Sequence, residues 1–81
     1  MIPRVTLYTR SGCHLCDEAK EQIRRARRRT PFDLEEIDID SDPGLRALYD
    51  EEVPVVAING KKAFKYRVKE KELLTKLRSR S

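Results

Sequence analysis

The only cysteines in this 81-residue chain are Cys13 and Cys16, with His14 and Leu15 between them. Two thiols at this spacing can close a small disulfide and open it again. They can also share a metal ion, or pack reduced in an interior; the spacing alone leaves all three open. The redox reading carries a division of labour. Cys13 follows the loop-like pair Ser11-Gly12 and precedes a helical stretch. Free backbone N–H groups at a helix start bind a thiolate, and the helix dipole favours the negative form. Cys13 is therefore the expected attacking sulfur. Cys16 falls one turn inside, on the apolar stripe, and is expected to be more buried. In a two-step exchange Cys13 attacks a substrate disulfide and forms a mixed disulfide. Cys16 then attacks the Cys13 sulfur and releases the reduced product.

The neighbours help or oppose that chemistry. Arg10 is a cation just upstream, and His14 adds charge when protonated. Asp17, Glu18 and Glu21 work against a thiolate if their carboxylates turn toward it. The competing reading is a metal or iron–sulfur binding module. A zinc site normally takes four ligands. Here the two sulfurs could be joined by His14 or Asp17, and there is no second cysteine pair. No metal ligand set and no tightly bound cofactor is expected.

The elements around the pair follow from periodicity. Pro3–Tyr8 alternates, with Val5 and Leu7 pointing one way and Thr6 and Tyr8 the other, which predicts a strand. Tyr8 either packs beside the dithiol or fills the sheet face. Gly12 gives the loop freedom just before Cys13. A helix is predicted from about Leu15 to Arg28, because Cys16, Ala19, Ile23 and Ala26 share one stripe at steps of three and four. Asp17, Glu18 and Glu21 sit at its start and Arg24, Arg25, Arg27 and Arg28 at its end, complementing the dipole. Thr30-Pro31 stops it.

Phe32–Ile39 holds a second strand with imperfect alternation: Phe32, Leu34 and Glu36 share one parity, Ile37 and Ile39 the other. Asp42-Pro43 starts a short helix, Asp as cap and Pro at the first helical position, with Leu45, Leu48 and Tyr49 as its apolar side. Val53–Ile58 is a third strand, with Pro54 at its beginning, where a proline fits. Asn59-Gly60 is the strongest hairpin signal in the chain. Lys61–Tyr66 then returns antiparallel, with Ala63 or the pair Phe64 and Tyr66 facing inward. A last helix over about Lys69–Arg78 is docked by Leu73, Leu74 and Leu77.

The order β-α-β-α-β-β-α predicts an α/β domain spanning residues 1–81. Its sheet is mixed and four-stranded, with helices on both faces. Apolar residues are 38% and charged residues 40% of the chain, which suits a small soluble protein with a thin core. Met1–Tyr8 is too short for a signal's apolar region and is interrupted by Arg4. No run reaches transmembrane length. A cytoplasmic location without membrane association is expected. Structural disulfides are uncommon there, and a bridge over so short a loop would add little as a staple.

Charge is segregated rather than merely basic. Residues 1–32 sum to +5, residues 33–52 to −8 and residues 53–81 to +7, for a net +4. Arg24-Arg25-Ala26-Arg27-Arg28-Arg29 could meet phosphates in a salt-dependent, sequence-independent way. No stacking platform or nucleic-acid motif accompanies it. A solvated helix face, neutralised in part by Glu21, Asp33 or Glu35, is the preferred reading, and nucleic acid is not an expected partner.

A C-x-x-C near a β-α-β pattern reads as a thioredoxin-like redox pair. The chain resembles a glutaredoxin-like member of the thioredoxin superfamily, above all the small glutaredoxin-like proteins with a Cys-His-Leu-Cys motif. The resemblance rests on Tyr8-Thr9-Arg10-Ser11-Gly12-Cys13-His14-Leu15-Cys16-Asp17, on Val53-Pro54-Val55-Val56 and on Asn59-Gly60. It implies a thioredoxin-like fold and thiol–disulfide oxidoreductase activity, with Cys13 as nucleophile and Cys16 as resolving thiol. Pro54 matches the family's cis-proline, which lies beside the dithiol. Val53 would then offer its N–H and C=O to an extended peptide or to glutathione. Arg10 falls near the place where glutaredoxins hold the glutathione carboxylate. With His14 and Leu15, these residues form the expected substrate-contacting set. The implied partners of a monomeric chain are a disulfide-containing protein substrate and an electron donor, either glutathione or a reductase. Two departures bear on that choice. The Gly-Gly pair that glutaredoxins carry after the last hairpin strand is absent from the corresponding stretch Tyr66-Arg67-Val68-Lys69-Glu70, and Val53 stands where many glutaredoxins have threonine.

Overall fold

Val5 and Leu7 are wholly buried, and the face they define is the one the first helix covers. The computed structural model describes residues 2–79. The first strand, β1 (Arg4–Thr9), leads through a turn into α1 (His14–Arg29). Then come β2 (Asp33–Asp38), a 3-10 turn (Ile39–Ser41) and α2 (Pro43–Tyr49). The hairpin β3 (Val55–Ile58) and β4 (Lys61–Lys65) precedes α3 (Glu70–Ser79). The strand order is β2-β1-β3-β4. The pair β1–β2 is parallel, as a helical crossover demands, and the other two pairs are antiparallel. The mixed four-stranded sheet and the β-α-β-α-β-β-α order are those read from the sequence.

The stripe on α1 is the backbone of the core. Cys16, Ala19, Ile23 and Ala26 are its buried residues. Ala19, Ile23 and Ala26 lie in one cluster with Val5, Leu7, Val56 and Ile58 of the sheet and with Leu73, Leu74 and Leu77 of α3. Burial of a side chain of the size of Ile23 or Leu73 contributes about 1.5–3 kcal/mol. Gln22 and Arg29 of α1 tie the two helices together at the start of α3. The Glu70 backbone N–H donates to Gln22 Oε1 at 2.9 Å, and the Arg29 guanidinium meets the Glu70 carboxylate at 2.9 Å. The helix ends where expected, with the Thr30 N–H donating to the Ala26 carbonyl at 3.0 Å.

The opposite sheet face is covered differently. Tyr8 packs its ring on Tyr49 of α2, with centroids 4.7 Å apart, and Lys62 lies over the Tyr49 ring at 5.9 Å. Thus α1 and α3 share one face and α2 sits on the other. Asp42 caps α2 as predicted, accepting from the Gly44 N–H at 2.7 Å, with Pro43 in the first turn. Of the predicted apolar side of α2, Leu45 and Tyr49 are half-buried, whereas Leu48 faces solvent. No residue of α2 is buried, and Leu48 is 64% exposed. A seven-residue helix makes barely two turns, and it is held by the Tyr49 ring on Tyr8 and by Arg46, which pairs with Asp40 of the 3-10 turn at 3.4 Å.

The strand ends are trimmed relative to the sequence reading. Phe32 is buried just before β2 and Ile39 just after it, in the 3-10 turn. Within β2, Leu34 pairs with Val5 and so faces α1, while Ile37 pairs with Tyr8 and faces the other side. The broken alternation is that of an edge strand with little to bury on either face. In the hairpin, Asn59 and Gly60 both take positive φ, 51° and 85°, the backbone of a two-residue turn that matches strand twist. A bulge between Val56 and Ala57 leaves Ala63 unpaired. Ala63 and Phe64 therefore both pack on the core, so the inward residue is not one or the other. Tyr66 does not face inward. It lies beyond β4, takes φ 68° and is 45% exposed.

Candidate functional site

Cys13 is the N-cap of α1. Its backbone is extended, with φ −96° and ψ 113°, and its sulfur accepts from the Cys16 N–H at 3.2 Å. An orphan amide of the first helical turn thus points at the sulfur, in the place where a capping serine or aspartate oxygen would sit. Gly12, at φ 76°, makes the left-handed step that brings the chain round to this cap. Cys13 is half-buried, whereas Cys16 is 1% exposed. Both are free thiols. Burial first, then the hydrogen bond with Cys13, pushes the Cys16 thiol up, while the Thr9 hydroxyl and the Arg10 backbone act the other way. The asymmetry expected of an attacking and a resolving sulfur is present in the burial of the two residues.

The proline motif lies at the same end of the sheet. The antiparallel register sets Tyr8 against Val55. Beyond that pair β1 ends at Thr9 and the chain continues to Arg10, while Val53 and Pro54 immediately precede β3. The Val53–Pro54 peptide bond is cis, as the resemblance implies. The Tyr66 N–H reaches both the Glu52 carbonyl at 3.2 Å and the Pro54 carbonyl at 2.9 Å, and so steadies the segment around Val53. Among the described residues, neither the N–H nor the C=O of Val53 is taken by another group of the chain. The residue is half-buried. It has a donor and an acceptor available for an extended backbone laid alongside.

His14 is exposed at the first position of α1. Leu15 is half-buried and lines a groove of about 750 Å³ together with Glu18, Gln22, Arg67, Val68 and Lys69. Arg10 is placed by partners that no local pattern announces. Its guanidinium donates to both oxygens of Asp40, at 3.0 and 3.2 Å, and pairs with the Asp50 carboxylate at 2.7 Å. It also approaches the Asp50 carbonyl at 3.4 Å. These contacts bolt the loop before Cys13 to the segment leading into Val53. Asp40, Asp50, Thr9 and Tyr66 are thus site residues the sequence reading did not single out.

The Arg10 hydrogen bond is the main reason that the Asp40 carboxyl sits below the usual carboxylate range, desolvation acting against it. A lowered value in the folded chain means the tie is fully present at neutral pH and is lost as acid carries Asp40 through that lowered value. Arg10→Gln is expected to raise the Asp40 value toward the ordinary range, with Arg46 still paired to it at 3.4 Å, read as the midpoint of its carboxyl carbon shift in an NMR titration. Equal midpoints in parent and variant would overturn this assignment.

The arginine run divides among partners. Arg25 pairs with Glu21 at 3.3 Å, Arg27 donates to the Phe32 carbonyl at 3.1 Å and Arg29 meets Glu70. Glu21 was foreseen as a neutraliser, and Glu70 was not. No helix of the described residues is long and apolar enough to cross a membrane. No group of three or more His, Cys, Asp or Glu side chains among them is arranged to hold a metal ion.

Residues 4–78 match the family model described as Glutaredoxin-like domain (DUF836). An uncharacterized protein of Mycobacterium tuberculosis is 36% identical over 76 residues, covering 88% of this chain and 78% of its own. The X-ray structure of a structural-genomics target from X. campestris is 31% identical, with a TM-score of 0.79, and covers 93% of this chain and 96% of that one. A chloroplastic thioredoxin z superposes with a TM-score of 0.80 at 11% identity, over 96% of this chain and 77% of that one. At that identity the likeness is one of fold.

Proposed function

The chain belongs to the glutaredoxin-like domain family and has the thioredoxin-like fold, and on that premise we propose that it is a thiol–disulfide oxidoreductase working by dithiol exchange through Cys13 and Cys16. The observation that carries this is the unequal pair. One sulfur is half-buried at a helix N-cap with an amide aimed at it, and the other is buried one turn inside. The first supports attack on an incoming disulfide and the second supports release of the product. The substrate's S–S bond breaks as Cys13 bonds to one of its sulfurs, and the other substrate sulfur leaves as a thiolate. Cys16 then gives up its proton, attacks the Cys13 sulfur and expels the second substrate thiolate. The dithiol is oxidised by two electrons, and the substrate disulfide gains them.

The substrate proposed is a disulfide in an extended protein segment or a small molecule. Its backbone would lie along Val53, which supplies one donor and one acceptor, with Pro54, Leu15 and His14 flanking the sulfur and Arg10 holding the loop. A protein reductase is the proposed electron donor in preference to glutathione. The stretch Tyr66-Arg67-Val68-Lys69-Glu70 lacks the glycine pair that glutaredoxins carry there, and the first amide of α3 is already occupied by Gln22.

Cys16→Ser is the direct test. It is expected to arrest exchange at the mixed disulfide, so that substrate proteins remain covalently attached to Cys13 and are released by added thiol. Running glutathione and a thioredoxin reductase as reductants of the parent in parallel decides the donor. A Cys16→Ser chain that accumulates no mixed disulfide, yet reduces protein disulfides as fast as the parent, would refute the two-step scheme.

A further inference from the structure

Thr9 ends β1 with its side chain buried, 8% exposed. It shares the parity of Val5 and Leu7, so it points toward α1, whose first turn carries Cys16. Its Oγ1 is the one buried side-chain nitrogen or oxygen among the described residues that has no hydrogen-bond partner. A buried hydroxyl without a partner is a standing cost to folding, and a valine would fill the same space without it. The hydroxyl is also one of the two groups that favour the charged form of the Cys16 sulfur, the Arg10 backbone being the other.

We propose that Thr9 is a positioning residue of the resolving step: its hydroxyl donates to the Cys16 sulfur as that sulfur takes on negative charge. The partner missing from the resting dithiol is a thiolate that exists only during turnover. This role rests on the exchange proposed above. In the mixed disulfide, Cys16 must lose its proton inside an apolar setting before it can attack. Thr9 keeps its own proton throughout and supplies only the hydrogen bond. A donor held in place beforehand lowers the cost of forming charge there, because nothing has to reorganise at the moment of reaction.

The test uses the whole chain and a chromogenic aromatic disulfide, dithiobis-nitrobenzoate, in single turnover. Attack by Cys13 releases one coloured thiolate, and resolution by Cys16 releases the second. In Thr9→Val the first phase should be unchanged and the second slowed about tenfold, the scale of a hydrogen bond to a charged group. Thr9→Ser should restore the second phase. The unfolding midpoint of Thr9→Val should be equal to or above that of the parent, since an unpaired hydroxyl has been removed; a merely structural role would lower it. A valine variant whose second phase is as fast as the parent's overturns the role of Thr9 and leaves the exchange standing. A parent that releases one thiolate and never the second overturns the exchange, and this role with it.

Discussion

Cys13→Ser is expected to abolish disulfide reduction while the chain stays folded. Serine is a strong N-cap residue, and its hydroxyl oxygen can accept from the Cys16 N–H in place of the sulfur. The start of α1 should therefore persist, and the melting temperature should stay near the parent's. What disappears is the nucleophile. An alcohol is scarcely ionised at neutral pH and cannot form a mixed disulfide. Cys16, buried at 1% exposure, cannot reach an incoming protein substrate in its stead. Loss of function removed with the reacting atom is normally at least about 10³-fold. The measurement is turnover with a protein disulfide substrate, alongside a thermal melt. Activity within tenfold of the parent, with the fold intact, would mean that the chemistry does not begin at Cys13.

Ile23→Ala is expected to cost about 2–5 kcal/mol, the range for deleting a large aliphatic side chain from a packed core. Ile23 is wholly buried at the centre of the α1 stripe, in the cluster that includes Val5, Leu7 and Leu73. Alanine is the better helix former, so the helix itself is not weakened, and the loss comes from the cavity. A chain of this size has about 4–12 kcal/mol in hand. A drop of this size should lower the melting temperature by about 10–30 °C. It lies two turns from Cys16, so the activity of each folded molecule should survive at low temperature. A shift of only a degree or two would show that α1 is not what the sheet packs against.

Where the chain signals its structure through near neighbours, the sequence was a good guide. The Cys16–Ala19–Ile23–Ala26 stripe, the Asp42 cap and the Asn59-Gly60 turn appear as read, because each depends on spacing or on one residue's backbone preference. The Val53–Pro54 isomer came from resemblance alone, since nothing local at a strand start calls for it. The edge strand β2 and the two-turn α2 were harder. Each buries so little that periodicity has almost nothing to report, and Leu48 faces solvent for that reason. The partners of Arg10 lie thirty and forty positions away, at Asp40 and Asp50. Contacts at such separations are products of the fold and leave no trace in spacing. Thr9 carried no signal either, because one threonine at the end of an alternating strand is unremarkable until its neighbours are known.

The sulfur that begins α1 is also the sulfur proposed to react. A cap that accepts from the Cys16 amide is at its strongest as a thiolate, a form open to the reduced pair alone, because a bridged sulfur carries no charge and accepts poorly. Around the closed thermodynamic cycle of folding and oxidation, any stability the reduced helix start gains over the oxidised one must reappear as a shift in the pair's redox poise. Secondary structure and electron affinity are here two readings of one free energy, so residues that only firm up or loosen that first turn would tune the potential without touching either thiol.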